Sequence, residues 1–366
     1  MGTESCRTIR LSRSRLCEIL AGIRGIRIGV VGDSALDAYW RADMTRSELS
    51  RETPHHPLPI VEERYSLGAG ANVAANAKAL GAGNVAILTV IGSDWRGREL
   101  TALLARNSID DGYLIHSSRW ITTAYIKPLR QGYDQAAYED PRLDFANHTP
   151  LSTVDERSVI SGLERLAADS DVIAVADQYT CGVVTPDLRA KLASVHALDR
   201  PVVADSRSRI IKFTGVIIKS NVLEAAGAMG REFNHAVSID TCTEIARQLL
   251  HRSGKPVIIT MGDKGALWVD AEGAFLEPAC PVRPPFDTAG AGDAFLAAFC
   301  CAFAAGATGP EAVALANLAA GVTIGKIGVT GTASPEEILG VFDLNGAAPI
   351  PFPSPVTSEE GKRRAP

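Results

Sequence analysis

One short stretch of the sequence combines the residue types that phosphoryl chemistry needs. Residues 287–293 read D-T-A-G-A-G-D and precede an apolar helical pattern. Glycines let backbone N–H groups crowd together, and a helix start adds unpaired N–H groups and a positive dipole end. We therefore expect Gly290, Ala291 and Gly292 to form an anion-binding cradle, with Asp293 accepting a proton from a hydroxyl that attacks a phosphate. An ordinary helix cap with a glycine turn has the same pattern.

Two further turns lie where strands of a parallel sheet would end. Asn221 and Glu224 follow a predicted strand over residues 216–218, and residues 260–265 read T-M-G-D-K-G after the next strand. Ligands of open α/β sheets bind at the carboxyl ends of the strands. Asn221 and Glu224 could hold a hydrated Mg²⁺ on the phosphates of a nucleotide. A close approach of backbone to that nucleotide is expected at Thr260, Gly262 and Gly265.

Polar residues near the start of the chain suit a polyhydroxylated ligand. The first predicted strand closes on an aspartate, a second aspartate lies four residues on, and residues 68–72 read G-A-G-A-N at the start of a helix. Carboxylates and an amide that face one cleft can accept from and donate to vicinal hydroxyls. We expect ligand contacts here from Asp33, Asp37, Gly68, Gly70 and Asn72.

Short apolar runs alternate with helical patterns along most of the chain. Strands are predicted over residues 26–31, 85–91, 172–176, 202–204, 216–218 and 257–261. Helices are predicted over residues 71–80, 96–106 and 294–305. This alternation is typical of an α/β fold with a mostly parallel sheet covered on both faces. Residues 42–67 and 121–145 break the alternation, and we expect them to form a small β lid at the sheet edge.

The composition predicts a large folded unit. The chain has 366 residues, of which 46% are hydrophobic, and a mean hydropathy of +0.07, so it can bury a full core. We expect a helical extension over residues 1–25, one α/β domain over residues 26–345, and a Pro-rich disordered tail over residues 346–366.

Charge and cysteine content exclude several classes of protein. The net charge of −5 gives no broad field to attract nucleic acid. Seven cysteines without a C-x-x-C pair fit neither a disulfide framework nor a zinc site. The longest apolar run, residues 294–307, is shorter than a membrane span. With no signal peptide visible, we expect a cytoplasmic protein with no nucleic-acid or membrane partner.

Together these residues make the sequence resemble the pfkB, or ribokinase-like, family of carbohydrate kinases. The resemblance covers residues 26–342 and rests on Gly68, Gly70 and Asn72 and on the complete D-T-x-G-A-G-D signature at residues 287–293. It implies a ribokinase-like three-layer fold with a β lid. It also implies ATP and Mg²⁺ as cofactors, and transfer of the γ-phosphoryl group of ATP to a hydroxyl of a sugar or sugar phosphate.

The resemblance implies roles for individual residues. Asp293 would be the catalytic base, the amides before it the anion hole, and Asn221 and Glu224 would serve Mg²⁺. Residues 316–321 and 326–328 match the helix and turn beside the adenine in this family. Further ATP contacts are implied at Asp287, Thr288 and Asn317.

Within the family, the sequence is most similar to the heptose-phosphate kinases, through residues 32–40, 61–64 and 142–144. Two elements differ from that type. Residues 176–182 read A-D-Q-Y-T-C-G, without the lysine of S-D-Y-x-K-G, and residues 205–207 read D-S-R in place of D-P-K. Substrate contacts are implied at Arg142, Asp177 and Arg207.

A phosphorylated acceptor would need a pocket rich in arginine and lysine. The candidates are Lys127, Arg130, Arg142, Arg207 and Arg209. Alternatively these are solvated surface charges, or Arg207 pairs with Asp205 or Asp177. We expect a phosphorylated six- or seven-carbon sugar as the first choice and a free hexose or pentose, as in ribokinase or fructokinase, as the second.

Other function classes remain as rivals. A Rossmann oxidoreductase is disfavoured because Val73 and Phe295 stand where G-x-G-x-x-G needs its last glycine. A non-catalytic sugar or nucleotide sensor on the same fold is disfavoured because the expected base and anion hole are present. No histidine pair has the H-x-G-H spacing of a fused nucleotidyltransferase, so we expect a kinase module alone. Lid strands in this family often pair between subunits, which implies a homodimer.

Overall fold

Strands and helices alternate through the computed structural model, which describes residues 6–8, 11–134, 136–196, 200–231 and 237–346. The strands are β1 (Arg27–Gly32), β2 (Ser34–Asp43), β3 (Ile60–Ala69), β4 (Asn84–Leu88), β5 (Val90–Gly92), β6 (Ile115–Ser117), β7 (Ala124–Gln131), β8 (Ala137–Glu139), β9 (Leu143–Phe145), β10 (Val172–Asp177), β11 (Val202–Ser206), β12 (Ile217–Asn221), β13 (Val257–Thr260), β14 (Ala266–Asp270) and β15 (Gly273–Glu277). The helices are α1 (Arg13–Ile23), α2 (Gly70–Ala79), α3 (Trp95–Arg106), α4 (Thr153–Asp169), α5 (Pro186–His196), α6 (Val222–Ala228), α7 (Ile239–Ser253), α8 (Ala291–Ala304), α9 (Gly309–Ile324) and α10 (Pro335–Gly346).

The central sheet has eight strands in the order β15-β14-β13-β12-β11-β10-β1-β4. The six strands from β13 to β4 are parallel, and β14 and β15 add an antiparallel edge. The predicted mostly parallel sheet is therefore confirmed. Because the carboxyl ends of its parallel strands share one edge, the polar residues that follow β1, β10, β11 and β12 lie at that edge.

The sheet separates two hydrophobic layers. Val30 and Ala174 pack on one face in a cluster that includes residues of α1, α2, α8 and α9. Their chain neighbours Val31 and Val175 pack on the other face with residues of α4, α5 and α7. Strands buried on both faces read as continuous apolar runs, which is why β1 and β10 were visible in the sequence. The three-layer α/β arrangement is confirmed.

A second sheet forms the lid, in the order β3-β2-β7-β8, with β9 also paired to β7. It begins earlier than predicted, because the chain leaves the central sheet at Gly32 and β2 starts at Ser34. Gly32 has φ of 127°, and a Cβ there would lie 2.1 Å from the carbonyl oxygen of Ala176, so only glycine fits this turn. Residues 44–59 contain a single 3₁₀ turn and no strand.

The ends of the chain were predicted as a helical extension and a tail. Helix α1 buries Leu16, Ile19, Leu20 and Ile23 in the same core as α8. Residues 347–366, where the tail was predicted, lie outside the described residues. The division into three segments stays a prediction. Within the described ranges, no helix is long and apolar enough to cross a membrane, and the cysteines are all free of disulfide bonds.

Candidate active site

A cavity of about 980 Å³ opens between the lid and the carboxyl edge of the central sheet. Three groups of residues line it. The lid end is formed by Asp37, Gly68, Ala69, Tyr125, Gln178 and Tyr179. The middle is formed by Asp205, Arg207, Lys219, Asn221, Glu224, Gly290, Ala291, Gly292 and Asp293. The far end is formed by Thr260, Gly262, Gly265, Cys280, Thr288, Asn317 and other small or apolar residues.

The D-T-A-G-A-G-D stretch forms the start of α8 in the middle of the cavity. The helix begins at Ala291, earlier than predicted, so Asp293 lies in its first turn. Gly290 caps the helix with φ of 77°, and a Cβ there would come within 2.9 Å of the Asn72 amide nitrogen. The amides of Gly292 and Asp293 have no carbonyl one turn earlier to bond, so they can bind an anion. The Ala291 amide donates to the Thr288 carbonyl oxygen at 3.2 Å, so the cradle is reduced to the Gly292 and Asp293 amides, and anion binding there stays a prediction.

Asp293 is held and tuned by its neighbours. Its Oδ2 accepts a hydrogen bond of 2.8 Å from the side-chain amide of Asn72 on α2. Burial raises the pKa of Asp293 to about 7, with a further upward contribution from Asp205, while the Asn72 hydrogen bond and the charge of Lys219 act downward. A carboxyl group with this pKa exchanges a proton near neutral pH, as a general base must.

A buried ion pair, not predicted from the sequence, lies beside the cradle. Lys219 on β12 donates to Asp205 on β11 at 2.6 Å, and both side chains are buried. A Cβ on Gly292 would lie 3.3 Å from the Lys219 Nζ, so this ammonium flanks the cradle. Burial alone would lower the pKa of Lys219, but Asp205 raises it above its usual value. The middle of the cavity therefore holds a buried ion pair whose ammonium group lies next to the cradle amides.

Asn221 and Glu224 form a capping box at the start of α6. The Asn221 side chain accepts from the Glu224 backbone amide at 2.9 Å, and the Glu224 carboxylate accepts from the Asn221 amide at 2.8 Å. Burial, followed by the charge of Asp205, raises the pKa of Glu224. No group of three or more potential metal ligands occurs within the ranges the structure describes. Asn221 is thus engaged in the cap, and Glu224, which lines the cavity, uses only its Oε2 in the cap.

Most residues predicted to contact a nucleotide line the cavity, whereas one of them holds a loop behind it. Thr260, Gly262, Gly265, Thr288 and Asn317 line the far end. Asp287 does not line the cavity, because its carboxylate accepts from the amides of Ala289 and Gly328 at 2.9 and 3.1 Å. Asp287 therefore fixes the loop that carries the cradle.

The lid end brings together some of the predicted ligand-contact residues. Asp37 and Gly68 line the cavity on neighbouring strands β2 and β3. Burial raises the pKa of Asp37, and the charges of Lys127 and Arg142 oppose that shift. Gly70 lies behind the wall instead, where a Cβ would come within 2.7 Å of the Asp33 carbonyl oxygen.

The structure places Asp33 behind the cavity wall, which corrects the expected ligand contact. Its side chain is 1% exposed and accepts from the backbone amides of Gln178, Tyr179 and Val183 at 2.7, 2.8 and 2.7 Å. Three backbone amides thus engage both oxygens of this carboxylate, which holds residues 178–183 in place. Burial raises the pKa of Asp33 to about 6, and these hydrogen bonds counteract the shift.

Asp177 is engaged in the same way. Its carboxylate pairs with Arg209 and accepts from the Ser206 hydroxyl at 2.6 Å. It is buried and does not line the cavity, so the expected substrate contact is replaced by a structural ion pair. The alternative pairing of Arg207 with Asp177 or Asp205 does not form, because Arg209 and Lys219 occupy those carboxylates.

Of the five predicted basic residues, three form ion pairs with aspartates and two, Lys127 and Arg207, form none with any residue that the structure describes. Arg130 pairs with Asp140, and Arg209 with Asp177. Arg142 pairs with Asp144, but it also packs over the Tyr125 ring at 4.5 Å. Lys127 lies near Asp37, and Arg207 is exposed at the cavity.

The sequence matches a known family over most of the chain, and this match classifies the site. The profile described as pfkB family carbohydrate kinase matches residues 36–337. The chain belongs to the pfkB family of carbohydrate kinases. This places the protein among the phosphotransferases that act on a sugar hydroxyl, as the sequence resemblance implied.

Curated relatives support the assignment to the pfkB kinases. The chain is 30% identical over 320 residues to the bifunctional protein HldE of Paramagnetospirillum magneticum, covering 86% of this chain and 63% of that protein. It is 32% identical over 345 residues to the HldE of Hyphomonas neptunium, covering 91% of this chain and 67% of that protein. This pfkB kinase therefore spans about two thirds of the length of these relatives.

Solved structures confirm the ribokinase-like fold. Phosphofructokinase-2 from Escherichia coli, in complex with potassium, superimposes with a TM-score of 0.69 at 18% identity, covering 88% of this chain and 99% of that chain. Arabidopsis thaliana ribokinase, complexed with ribose and ATP, gives a TM-score of 0.65 at 16% identity, covering 87% and 98%. The fold of this pfkB kinase is therefore ribokinase-like.

Proposed function

We propose that the protein transfers the γ-phosphoryl group of ATP to a hydroxyl of a sugar phosphate of the heptose 7-phosphate type. The observation that carries this proposal is the placement of Asp293 in the first turn of α8, on the cavity and hydrogen-bonded to Asn72 at 2.8 Å. The lid end would take the sugar and the far end the nucleotide. The similarity of residues 32–40 and 142–144 to heptose-phosphate kinases supports the acceptor class.

In this mechanism Asp293 removes the proton of the attacking hydroxyl. The hydroxyl oxygen forms a bond to the γ-phosphorus while the bond from that phosphorus to the β,γ-bridging oxygen breaks, and ADP leaves with the electron pair. The amides of Gly292 and Asp293 and the ammonium of Lys219 stabilise the charge on the transferring phosphoryl group. Asn72 orients the carboxylate through its 2.8 Å hydrogen bond.

The residues near the phosphate position fit a magnesium ion bound mainly through water. Glu224 keeps one carboxylate oxygen outside its capping box, and Mg²⁺ often takes only one or two protein oxygens. When bound, magnesium would neutralise part of the charge of the nucleotide phosphates.

Glu224→Gln preserves the cap, because glutamine also serves in a capping box. We expect this variant to need more Mg²⁺ for half-maximal rate, and an unchanged Mg²⁺ titration would remove Glu224 from the site.

We also propose that two copies pair through the lid. The lid strands and the turn between β7 and β8 expose several large apolar side chains, namely Ile60, Val61, Tyr133, Tyr138 and Leu143. Exposed apolar side chains on a sheet with open edges favour association with a second chain.

The proposed acceptor is tested by measuring ADP release from ATP over a panel of free sugars, their terminal phosphate esters and nucleosides. We expect the purified protein to prefer an ester over its free sugar by more than about tenfold, as a pocket with charge-assisted hydrogen bonds to phosphate would. Preference for a free hexose or pentose would replace the acceptor class and leave the kinase in place. Binding of ATP and sugar without any ADP release would favour a sensor.

A further inference from the structure

Three side chains form a row across the lid, and the row joins Lys127, already a candidate for a phosphate pocket, to two residues not yet assigned a role. Tyr39 on β2 is in register with Arg64 on β3 and with Lys127 on β7. The Arg64 guanidinium carbon and the Lys127 Nζ each lie 4.8 Å from the centroid of the Tyr39 ring. We call Tyr39, Arg64 and Lys127 the lid row. A tyrosine between two cations holds both side chains in place through cation–π contacts.

The lid row lies on the face of the lid that lines the cavity. Asp37 is in register with Ser66 and Tyr125, two residues before the lid row on each of β2 and β7. Side chains two residues apart on a strand share one face, and the two rows are about 6.8 Å apart. Asp37 and Tyr125 line the cavity, so the lid row continues that wall outward. The opposite face buries Leu36 in the core.

The charges of the lid row are not neutralised by ion pairs. Arg64 donates to the carbonyl oxygen of Gly328 at 2.6 Å, and Lys127 donates to the Tyr39 hydroxyl at 3.4 Å. Neither cation has a carboxylate within ion-pair distance in the part of the chain that the structure describes. The acidic residues of the two neighbouring rows are Asp37, which senses the Lys127 charge, and Glu62, which pairs with Arg41 at 2.8 Å.

Other arginines of the lid form ion pairs, in contrast to the lid row. Arg130 pairs with Asp140 of the facing segment, and Arg142 pairs with Asp144 two residues along its own segment. Two cations held without carboxylate partners beside a cavity carry a cost in mutual repulsion that an anionic ligand would remove. Arg64 has guanidinium N–H groups beyond the one bonded to Gly328, and Lys127 has three N–H donors.

We propose that the lid row binds the terminal phosphate of the acceptor, while the hydroxyl at the other end of the sugar faces Asp293. This inference rests on the proposed function and assigns a subsite within it. The step of about 6.8 Å from the Asp37 row to the lid row suits a six- or seven-carbon sugar. Its hydroxyls would meet Asp37 and its ester oxygens would meet Arg64 and Lys127. A free pentose would leave both cations without a ligand.

The subsite is tested with Arg64→Gln and Lys127→Met, which remove charge and keep side-chain length. We expect each variant to raise KM for the phosphorylated acceptor about tenfold or more, with kcat and the KM for ATP nearly unchanged. Activity on the matching free sugar should not fall. Arg130→Gln is the matched control, since it removes one positive charge from the opposite face of β7, where Arg130 pairs with Asp140.

Conservative variants and direct binding complete the test. Lys127→Arg and Arg64→Lys keep the charge and should retain most of the affinity for the ester, whereas a structural role for the native side chain would not be rescued. Calorimetry with the sugar phosphates, without ATP, measures binding at the subsite independently of turnover.

Weakened binding in Arg64→Gln, with no turnover in the parent, would support the subsite and overturn the proposed function. Equal KM values in the parent and both variants, or an equal loss in Arg130→Gln, would overturn the subsite and leave the kinase in place.

Discussion

In the proposed mechanism a single carboxyl group, Asp293, accepts the proton of the attacking hydroxyl. Burial keeps it protonated up to near neutral pH, and the Asn72 amide and the Lys219 ammonium favour the ionised form. A general base with a pKa near the working pH is substantially ionised and still has a high affinity for the proton. Removing Asn72 therefore changes the proton affinity of the base without removing the base.

We expect log kcat/KM to fall with a slope near one as the pH drops below about 7, because protonated Asp293 cannot accept a proton. Asn72→Leu removes the hydrogen bond that lowers the pKa of Asp293, so the acidic limb should move to higher pH. A pH profile of kcat/KM for the parent and the variant measures both effects. An acidic limb at the same pH in both proteins would contradict the assigned role of Asn72.

At the scale of elements, loops are fixed by buried carboxylates behind the cavity. Asp33 links three elements: its carboxylate holds residues 178–183, its carbonyl oxygen accepts from Gly70 at the start of α2, and its amide donates to Ala176 on β10. Helix α2 carries Asn72, and residues 178–179 line the lid end. Asp33 therefore positions both the partner of the base and one wall of the lid end.

Asp33→Asn should loosen the loop over residues 178–183, because the asparagine side chain keeps one acceptor oxygen and turns an N–H donor toward backbone amides. We expect a stability loss of about 1–3 kcal/mol and a raised KM for the acceptor, with a smaller change in the KM for ATP. Asp171→Asn is the matched control, since Asp171 accepts from the Arg27 amide at the far end of β1. Equal increases in the KM for the acceptor and the KM for ATP would show that Asp33 has only a structural role.

The sequence predicted what depends on local chain chemistry. The glycine turn and helix start at residues 287–293 and the strand-end turn at Asn221 could be predicted because their glycines, caps and neighbours are adjacent in the chain. Lys219 was missed because a lysine inside a strand has no local signature, and its partners come from β11 and α8. Asp33 was placed at the correct strand end, but whether it faces the cavity or the loop depends on packing with residues 178–183.

At the scale of the whole molecule, the lid sheet joins the central sheet around one cavity. Core side chains of the lid, such as Leu36 and Leu67, pack with α2 and α3 in the same cluster as the central sheet. Beside the lid, Thr330 donates to the Ser66 hydroxyl at 3.0 Å, and Arg64 donates to the carbonyl oxygen of Gly328. The loop over residues 325–331 therefore contacts the lid directly.

The proposed pairing of two lids is tested by sedimentation velocity. Tyr138 and Leu143 are 61% and 47% exposed, and burying them would favour a dimer. We expect the parent to sediment as a dimer at micromolar concentration, and a Tyr138→Asp, Leu143→Asp double variant to sediment as a monomer. A parent that stays monomeric over the same concentrations would contradict pairing through the lid.

The catalytic role of Asp293 is tested by comparing phosphoryl transfer by the parent and by Asp293→Asn, followed as ADP and phosphorylated sugar in the same reaction. The parent should form one phosphorylated product for each ADP. The variant should lose about 10²-fold or more in kcat while its ATP affinity, measured by calorimetry, is retained. Turnover of Asp293→Asn at the parent rate, or ADP released by the parent without a phosphorylated sugar, would contradict the account.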